Sequence, residues 1–284
     1  MTSHFIICPC DKRIINSLAS RSVVPRVRSM EEVTEAARLV HEAKAHLHCI
    51  IVDSNRQLSF SSFSNDLGTL PIALFVSGIG NLAHVIRQVE NIKKLNVRVY
   101  IPGDKPENFS AIRILSSLGV ETAVVFDTNV DWDRLNDLMS YAVYGQVPHA
   151  DIAPFDYMVK RYNRTDRNDF SAVYFDDYAT YLHVNEFGQV ALSNKDLLDG
   201  RYVCESVANI DTVEEQPGYL ERSNMWKKHL LNYDDCSCCP GWRICLGKYN
   251  SLDNAQCRAF FDDFLGAVEF AKQRNDEQLR LWQP

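Results

Sequence analysis

The chain predicts an α/β fold, an incomplete β/α barrel over residues 1–150 followed by a small cysteine-rich α+β domain over residues 151–284. Two observations carry the first half: short Ile- and Val-rich runs of the kind that form buried parallel strands, and stretches of helical periodicity between them. A third is the change after Gly145, where that alternation gives way to short strand signals, turn residues and a dense run of cysteines.

The predicted strands are His4 to Ile7, His48 to Val52, Ile72 to Val76, Val97 to Ile101 and Thr122 to Phe126. Helical patterns fall at about Met30 to Ala45, Asn81 to Leu95, Pro106 to Leu118 and Asp131 to Tyr144. Asn81 is placed to cap the helix that carries Leu82, Val85, Ile86 and Val89, and Gly119 follows Leu118 as a stop. Asp53 to Thr69, rich in Ser and Asn, reads as a long loop. About five strands fall short of the eight that close a TIM-like barrel, so the expectation is a partial one.

Beyond Gly145, Ala153 to Tyr162 reads as a short helix. Ala172 to Phe175, Tyr181 to Asn185 and Gln189 to Leu192 read as strands, with Glu186-Phe187-Gly188 as a turn. The hairpin 181–192 is the expected free edge. Ser223 to Leu231 leads into the cysteines, and a final helix from about Asn254 to Gln273 presents Phe260, Phe261, Phe264, Leu265 and Val268 on one apolar face.

The formal charge of −7 argues against a nucleic-acid-binding surface, because phosphate contacts need a basic face. No stretch is apolar and long enough to span a membrane. Met1 to Cys10 is short and followed by Asp11, Lys12 and Arg13, which is unlike a secretory signal, so the expected location is cytoplasmic. Clustered cysteines in a reducing compartment hold metals or do redox work more often than they form structural disulfides.

Four of the nine cysteines lie between Cys236 and Cys245. Cys236, Cys239 and Cys245 are spaced C-x2-C-x5-C, and Cys257 follows as a fourth thiol. Thiolates in this pattern suit zinc or an iron–sulfur cluster, and spacing alone does not separate the two. Cys238 lies inside the first spacer as an alternative ligand, and a disulfide knot or free buried thiols are the plainer readings.

These residues resemble the SPASM extension of radical SAM enzymes that modify peptides, whose pattern is C-x2-C-x5-C-x3-C with a last Cys after a gap and an earlier G-x4-C element. The resemblance places Cys236, Cys239, Cys245 and Cys257 on the ligands of the second auxiliary [4Fe–4S] cluster. Tyr249 and Ser193 stand where cysteines of the first auxiliary cluster belong. One set is complete and the other emptied, which implies a single cluster, with zinc as the alternative.

Radical SAM chemistry needs a C-x3-C-x2-C loop, and the chain has no such triplet; Cys8-Pro9-Cys10 supplies only two thiols, and Cys49 lies apart. The chain therefore resembles a pseudo-radical SAM protein, a shortened barrel with a SPASM-like tail and no S-adenosylmethionine site. That resemblance implies a non-catalytic accessory protein of ribosomal peptide modification, binding a precursor peptide, an active radical SAM maturase, or both. The alternatives are a redox-active iron–sulfur enzyme or electron-transfer partner, and a zinc-stapled interaction module. No catalytic residue is assigned.

The remaining constellations read as ordinary structure. Val76-Ser77-Gly78-Ile79-Gly80-Asn81 lacks full phosphate-loop spacing. His46 and His48 fall on the opposite strand face from Cys49. His84 and His183 are isolated, His149 and Asp151 lack a nucleophile beside them, and Asp131, within the group Asp127, Asp131 and Asp133, fits helix capping.

Overall fold

The computed structural model of the chain describes residues 4–54, 68–80, 82–125, 131–163, 170–232, 234–246 and 254–281. Its fold is α/β with a mainly parallel sheet. In chain order the strands are β1 (Phe5–Pro9), β2 (Ser22–Val27), β3 (His46–Leu47), β4 (Ile50–Asp53), β5 (Ile72–Phe75), β6 (Val97–Pro102), β7 (Thr122–Val125), β8 (Ile152–Ala153), β9 (Tyr181–Val184) and β10 (Val190–Ala191). Where the sequence suggests one cut near residue 150, the chain forms two compact units, each drawn from two stretches. Met1–Val99 joins Tyr174–Met225, and Tyr100–Val173 joins Trp226–Pro284.

In the first unit the order is β10-β9-β1-β2-β4-β5, with β3 beside β2. All of these neighbours run parallel except β10 and β9. β9 therefore returns beside the first strand, with Phe5, Ile6 and Ile7 in register with Tyr181, Leu182 and His183.

Registration and the alternation of a strand sort the side chains onto two faces. Ile6, Cys8, Val23, Leu182 and Val184 face a core completed by Ile14, Ile15 and Leu18 of the first helical segment and by Leu39 and Val40 of helix Val33–Glu42. Ile7, Val24 and Ile51 bury the other face, which also carries Arg26, Asp53, Phe75 and His183.

Three features depart from the sequence reading. β2 was hidden by Pro25, which discourages a strand assignment because it cannot donate to a ladder. Here Pro25 falls between the register with β3, at Ser22 and Val23, and the register with β4, at Arg26 and Val27.

The run 172–175 is not a strand. It is a 3-10 turn, Phe170–Ala172, followed by a bend in which Phe175 takes a left-handed φ of 58°, a conformation that breaks extended structure. Nor is the 181–192 hairpin an open edge. β9 lies between β1 and β10, and Val190 exchanges hydrogen bonds with the next segment, Val190 N–H to Cys204 O at 2.8 Å and Val203 N–H to Val190 O at 2.7 Å.

In the second unit β7 and β8 pair, with Thr122 and Ala123 in parallel register with Ile152 and Ala153. Its core is aromatic. Phe260, Phe261, Phe264, Leu265 and Val268 of the helix Asn254–Leu281 are buried, the face expected from their spacing. Phe260 and Phe261 meet Trp132, while Phe264 meets Phe155 and Phe170 at ring-centroid distances of 5.5 and 5.8 Å.

Asp131 caps the helix Trp132–Tyr144 by accepting the Arg134 N–H at 3.1 Å, and Gly119 follows helix Pro106–Ser117 at a φ of 89°. Asn81, Asp127 and Tyr249 lie outside the described residues. Among the described residues no helix is long and apolar enough to cross a membrane.

Candidate functional site

The cysteine segment folds as two single-turn helices, Asp234–Ser237 and Trp242–Cys245, joined by a tight turn. The Cys239 N–H bonds Cys236 O at 3.2 Å, and the Trp242 N–H bonds Cys239 O at 3.2 Å. Leu246 ends the segment with a left-handed φ of 49°. Cys236, Cys245 and Cys257 are buried, Cys239 is half-buried and Cys238 is exposed, and none of the nine cysteines is in a disulfide.

The donor chemistry of these four residues suits zinc or an iron–sulfur cluster, but a zinc site needs its sulfurs about 2.3 Å from one point. Among the described residues no three His, Cys, Asp or Glu side chains gather closely enough to hold a metal ion.

Beside this segment lies an open cavity of about 850 Å³, within the range of ligand pockets. Cys239, Trp242 and Tyr162 form part of its wall together with Leu265 of the C-terminal helix, and Arg243 and Asp262 add charge. A half-buried thiol, two aromatic rings and charges of both signs thus share one concavity.

The upstream thiols hold their protons firmly. Burial, then the neighbouring Cys10, pushes the Cys8 thiol up to about 12, and burial alone pushes Cys49 up to about 12. The Cys10 thiol is raised by burial and by Glu32, Glu35 and Asp11. A thiol that holds its proton this firmly is a weak nucleophile.

Ser193, where the resemblance has a cysteine, is a helix cap. Its side chain accepts the Asp196 N–H at 3.0 Å, and its hydroxyl donates to Asp196 Oδ2 at 2.6 Å. Arg201 reaches the Asp196 carboxylate at 2.7 Å, and Arg222 also pairs with it. Burial raises the Asp196 pKa, but the hydrogen bonds from Ser193 and Arg201 and the charges of both arginines bring it below its ordinary value. Serine here serves a carboxylate, not a metal.

A second cluster, missed in the sequence, sits at the carboxyl ends of the first unit's parallel strands, where α/β folds place their ligand sites. Arg26 is the penultimate residue of β2, and its Nη1 donates to Asn194 Oδ1. Its Nε is buried and has no hydrogen-bond partner. Burial pulls the Arg26 pKa below its ordinary value, against the charges of Asp53 at the end of β4 and Asp176.

His183 is 2 % exposed, and its Nε2 donates to Phe175 O at 3.0 Å, leaving the buried Nδ1 without a partner. Its pKa is pushed down to about 3, first by burial and then by Arg26, so the ring is neutral. Phe75 and Phe175 adjoin with centroids 6.4 Å apart. The available signal was Arg26 itself, a charge inside the apolar run Ser22 to Val27.

The other candidates stay ordinary. His48 stacks on Phe5 at 3.8 Å, His149 Nδ1 meets the Ala150 carbonyl at 2.9 Å, and Asp151 pairs with Lys160. Comparison with protein families, curated proteins and solved structures finds no match to this chain.

Proposed function

We propose that the protein is a non-catalytic binding partner in ribosomal peptide modification, one that engages a precursor peptide, an active radical SAM maturase, or both. The observation that carries this reading is the pairing of a retained Cys236, Cys239, Cys245 and Cys257 set with the lack of any C-x3-C-x2-C triplet. The parallel strand order and the return of β9 to β1 are compatible with an incomplete TIM-like barrel, to which the cysteine segment would be the SPASM-like extension.

With the hairpin edge covered, the peptide-binding surface in this reading is the cavity beside Cys239, Trp242 and Tyr162. The metal belongs to the same proposal: Cys236, Cys239, Cys245 and Cys257 would hold one [4Fe–4S] cluster or zinc, with Cys238 as the alternative ligand. Such a group would act as a staple, adding its binding free energy to folding.

The test is anaerobic purification with iron, sulfide and zinc measured per chain, followed by pull-down of candidate peptides and maturases. About four irons and four sulfides support the single cluster. One zinc leaves the interaction role on a zinc staple. Metal-free protein that captures neither peptide nor maturase overturns the reading.

A further inference from the structure

Cys236 and Cys239 are the first and last residues of a turn closed by the Cys239 N–H to Cys236 O bond of 3.2 Å. A turn of this kind keeps its end Cα atoms within about 7 Å, close enough for a disulfide. The two thiols differ in access. Cys239 is half-buried and forms part of the wall of the cavity of about 850 Å³. Cys236 is only 7 % exposed and already makes a contact of its own in the reduced fold. One thiol is thus placed to meet a partner from solvent and the other to follow it.

We propose that Cys236 and Cys239 form a reversible dithiol–disulfide pair that exchanges with peptide disulfides entering this cavity. Cys239 is the entering thiol and Cys236 the resolving one. Cys239 loses its proton to water, and its sulfur attacks one sulfur of the peptide disulfide. A new S–S bond forms there, the old one breaks, and the other peptide sulfur leaves as a thiolate that takes up a proton. Cys236 then loses its proton to water and attacks the Cys239 sulfur. The Cys236–Cys239 bond forms as the second peptide sulfur leaves and is protonated. Two electrons have passed from the protein dithiol to the peptide disulfide, and a peptide dithiol reverses the sequence.

The cavity favours a peptide over a bare small disulfide. Trp242 and Tyr162 give apolar walls for side chains next to a cysteine, and Arg243 and Asp262 offer charges of both signs to a peptide's carboxylate and ammonium groups. The inference concerns the metal-free chain and needs neither the cluster nor the maturase of the preceding reading. A metal on the same two thiols would block the exchange.

The experiment equilibrates the full chain, as purified and after treatment with a chelator, with graded ratios of reduced and oxidised glutathione, the latter a peptide disulfide. Remaining thiols are trapped with N-ethylmaleimide, and bridges and mixed disulfides are assigned by peptide mapping. A Cys236–Cys239 bridge is expected to form on oxidation and to disappear on reduction. Cys236→Ser should stop at a glutathione mixed disulfide on Cys239, Cys239→Ser should form neither species, and Cys238→Ser should bridge as the wild type does. Bridging by oxidised glutathione should be about tenfold or more faster than by hydroxyethyl disulfide, once each rate is divided by that with the urea-unfolded chain. Wild-type protein that forms no Cys236–Cys239 bridge in either state overturns the proposal, as does glutathione confined to Cys238. Equal normalised rates overturn the peptide as the substrate class. These outcomes are read on the wild-type chain, so a misfolded serine variant does not obscure them. Metal content and maturase capture, which decide the preceding reading, do not enter them.

Discussion

Gly241 lies so close to Phe261 that a Cβ on Gly241 would come within 2.3 Å of the Phe261 Cβ. The cysteine turn is thereby seated on the aromatic face of the C-terminal helix by backbone contact. Gly241 has an ordinary φ of −72°, so the constraint is steric and not conformational. Gly241→Ala should destabilise the protein by about 1–3 kcal/mol through overpacking. Urea denaturation monitored by circular dichroism measures this, and a variant as stable as wild type would mean that the turn is not seated there.

His183 should make stability depend on pH in a defined window. Its folded pKa is about 3, whereas an unfolded histidine titrates near 6.5, so the unfolded chain binds the extra proton. Stability is therefore full above about pH 6.5 and falls by up to about 1.4 kcal/mol per pH unit on going down toward pH 3. His183→Gln keeps a donor for the Phe175 carbonyl and should flatten that slope. Denaturation midpoints at pH 7, 6, 5 and 4 for both proteins decide it.

Asp196 acts in a lower window. Its folded pKa lies below the unfolded value of about 3.9, so its contribution is present above pH 4 and disappears as the carboxylate protonates. Asp196→Asn should cost about 1–3 kcal/mol at pH 7 by weakening the bonds from Ser193, Arg201 and Arg222. The gap between variant and wild type should narrow toward pH 3. A gap independent of pH would argue against an ionised Asp196 at the centre of the network.

Alkylation should rank the thiols. Cys238 is exposed and should react first in native protein, with Cys239 next, while Cys8 and Cys49 should stay unmodified until the chain unfolds. Peptide mapping after brief iodoacetamide treatment reads the order. If the segment holds a metal, Cys239→Ala should lower metal content and melting temperature together. Full metal occupancy with unchanged melting would remove Cys239 from the ligand set.

Periodicity reported most of the scaffold, because buried parallel strands and amphipathic helices each leave a local pattern. The buried face of Phe260 to Val268 is one example, and the Asp131 cap is another. β2 was obscured because its proline is tolerated only by the handover from β3 to β4, a fact of register that no local window contains. The 172–175 segment misled in the opposite direction, since nothing in Phe175 itself announces a left-handed backbone.

The site followed the same division. The spacing of Cys236, Cys239, Cys245 and Cys257 was visible, but whether those thiols converge depends on how two single-turn helices are seated. Arg26, Asp53 and His183 come from three strands far apart in sequence, and only strand pairing makes them neighbours.

The partnership of β1 with β9 also sets a schedule for biosynthesis. Residues 5–7 leave the ribosome well before the strand that covers one of their edges, which is encoded at residues 181–183. At typical elongation rates the wait is on the order of ten seconds or more. Throughout that interval an Ile-rich strand is without one flank, which makes nascent-chain chaperoning, more than equilibrium stability, the point at which production of this protein is most vulnerable.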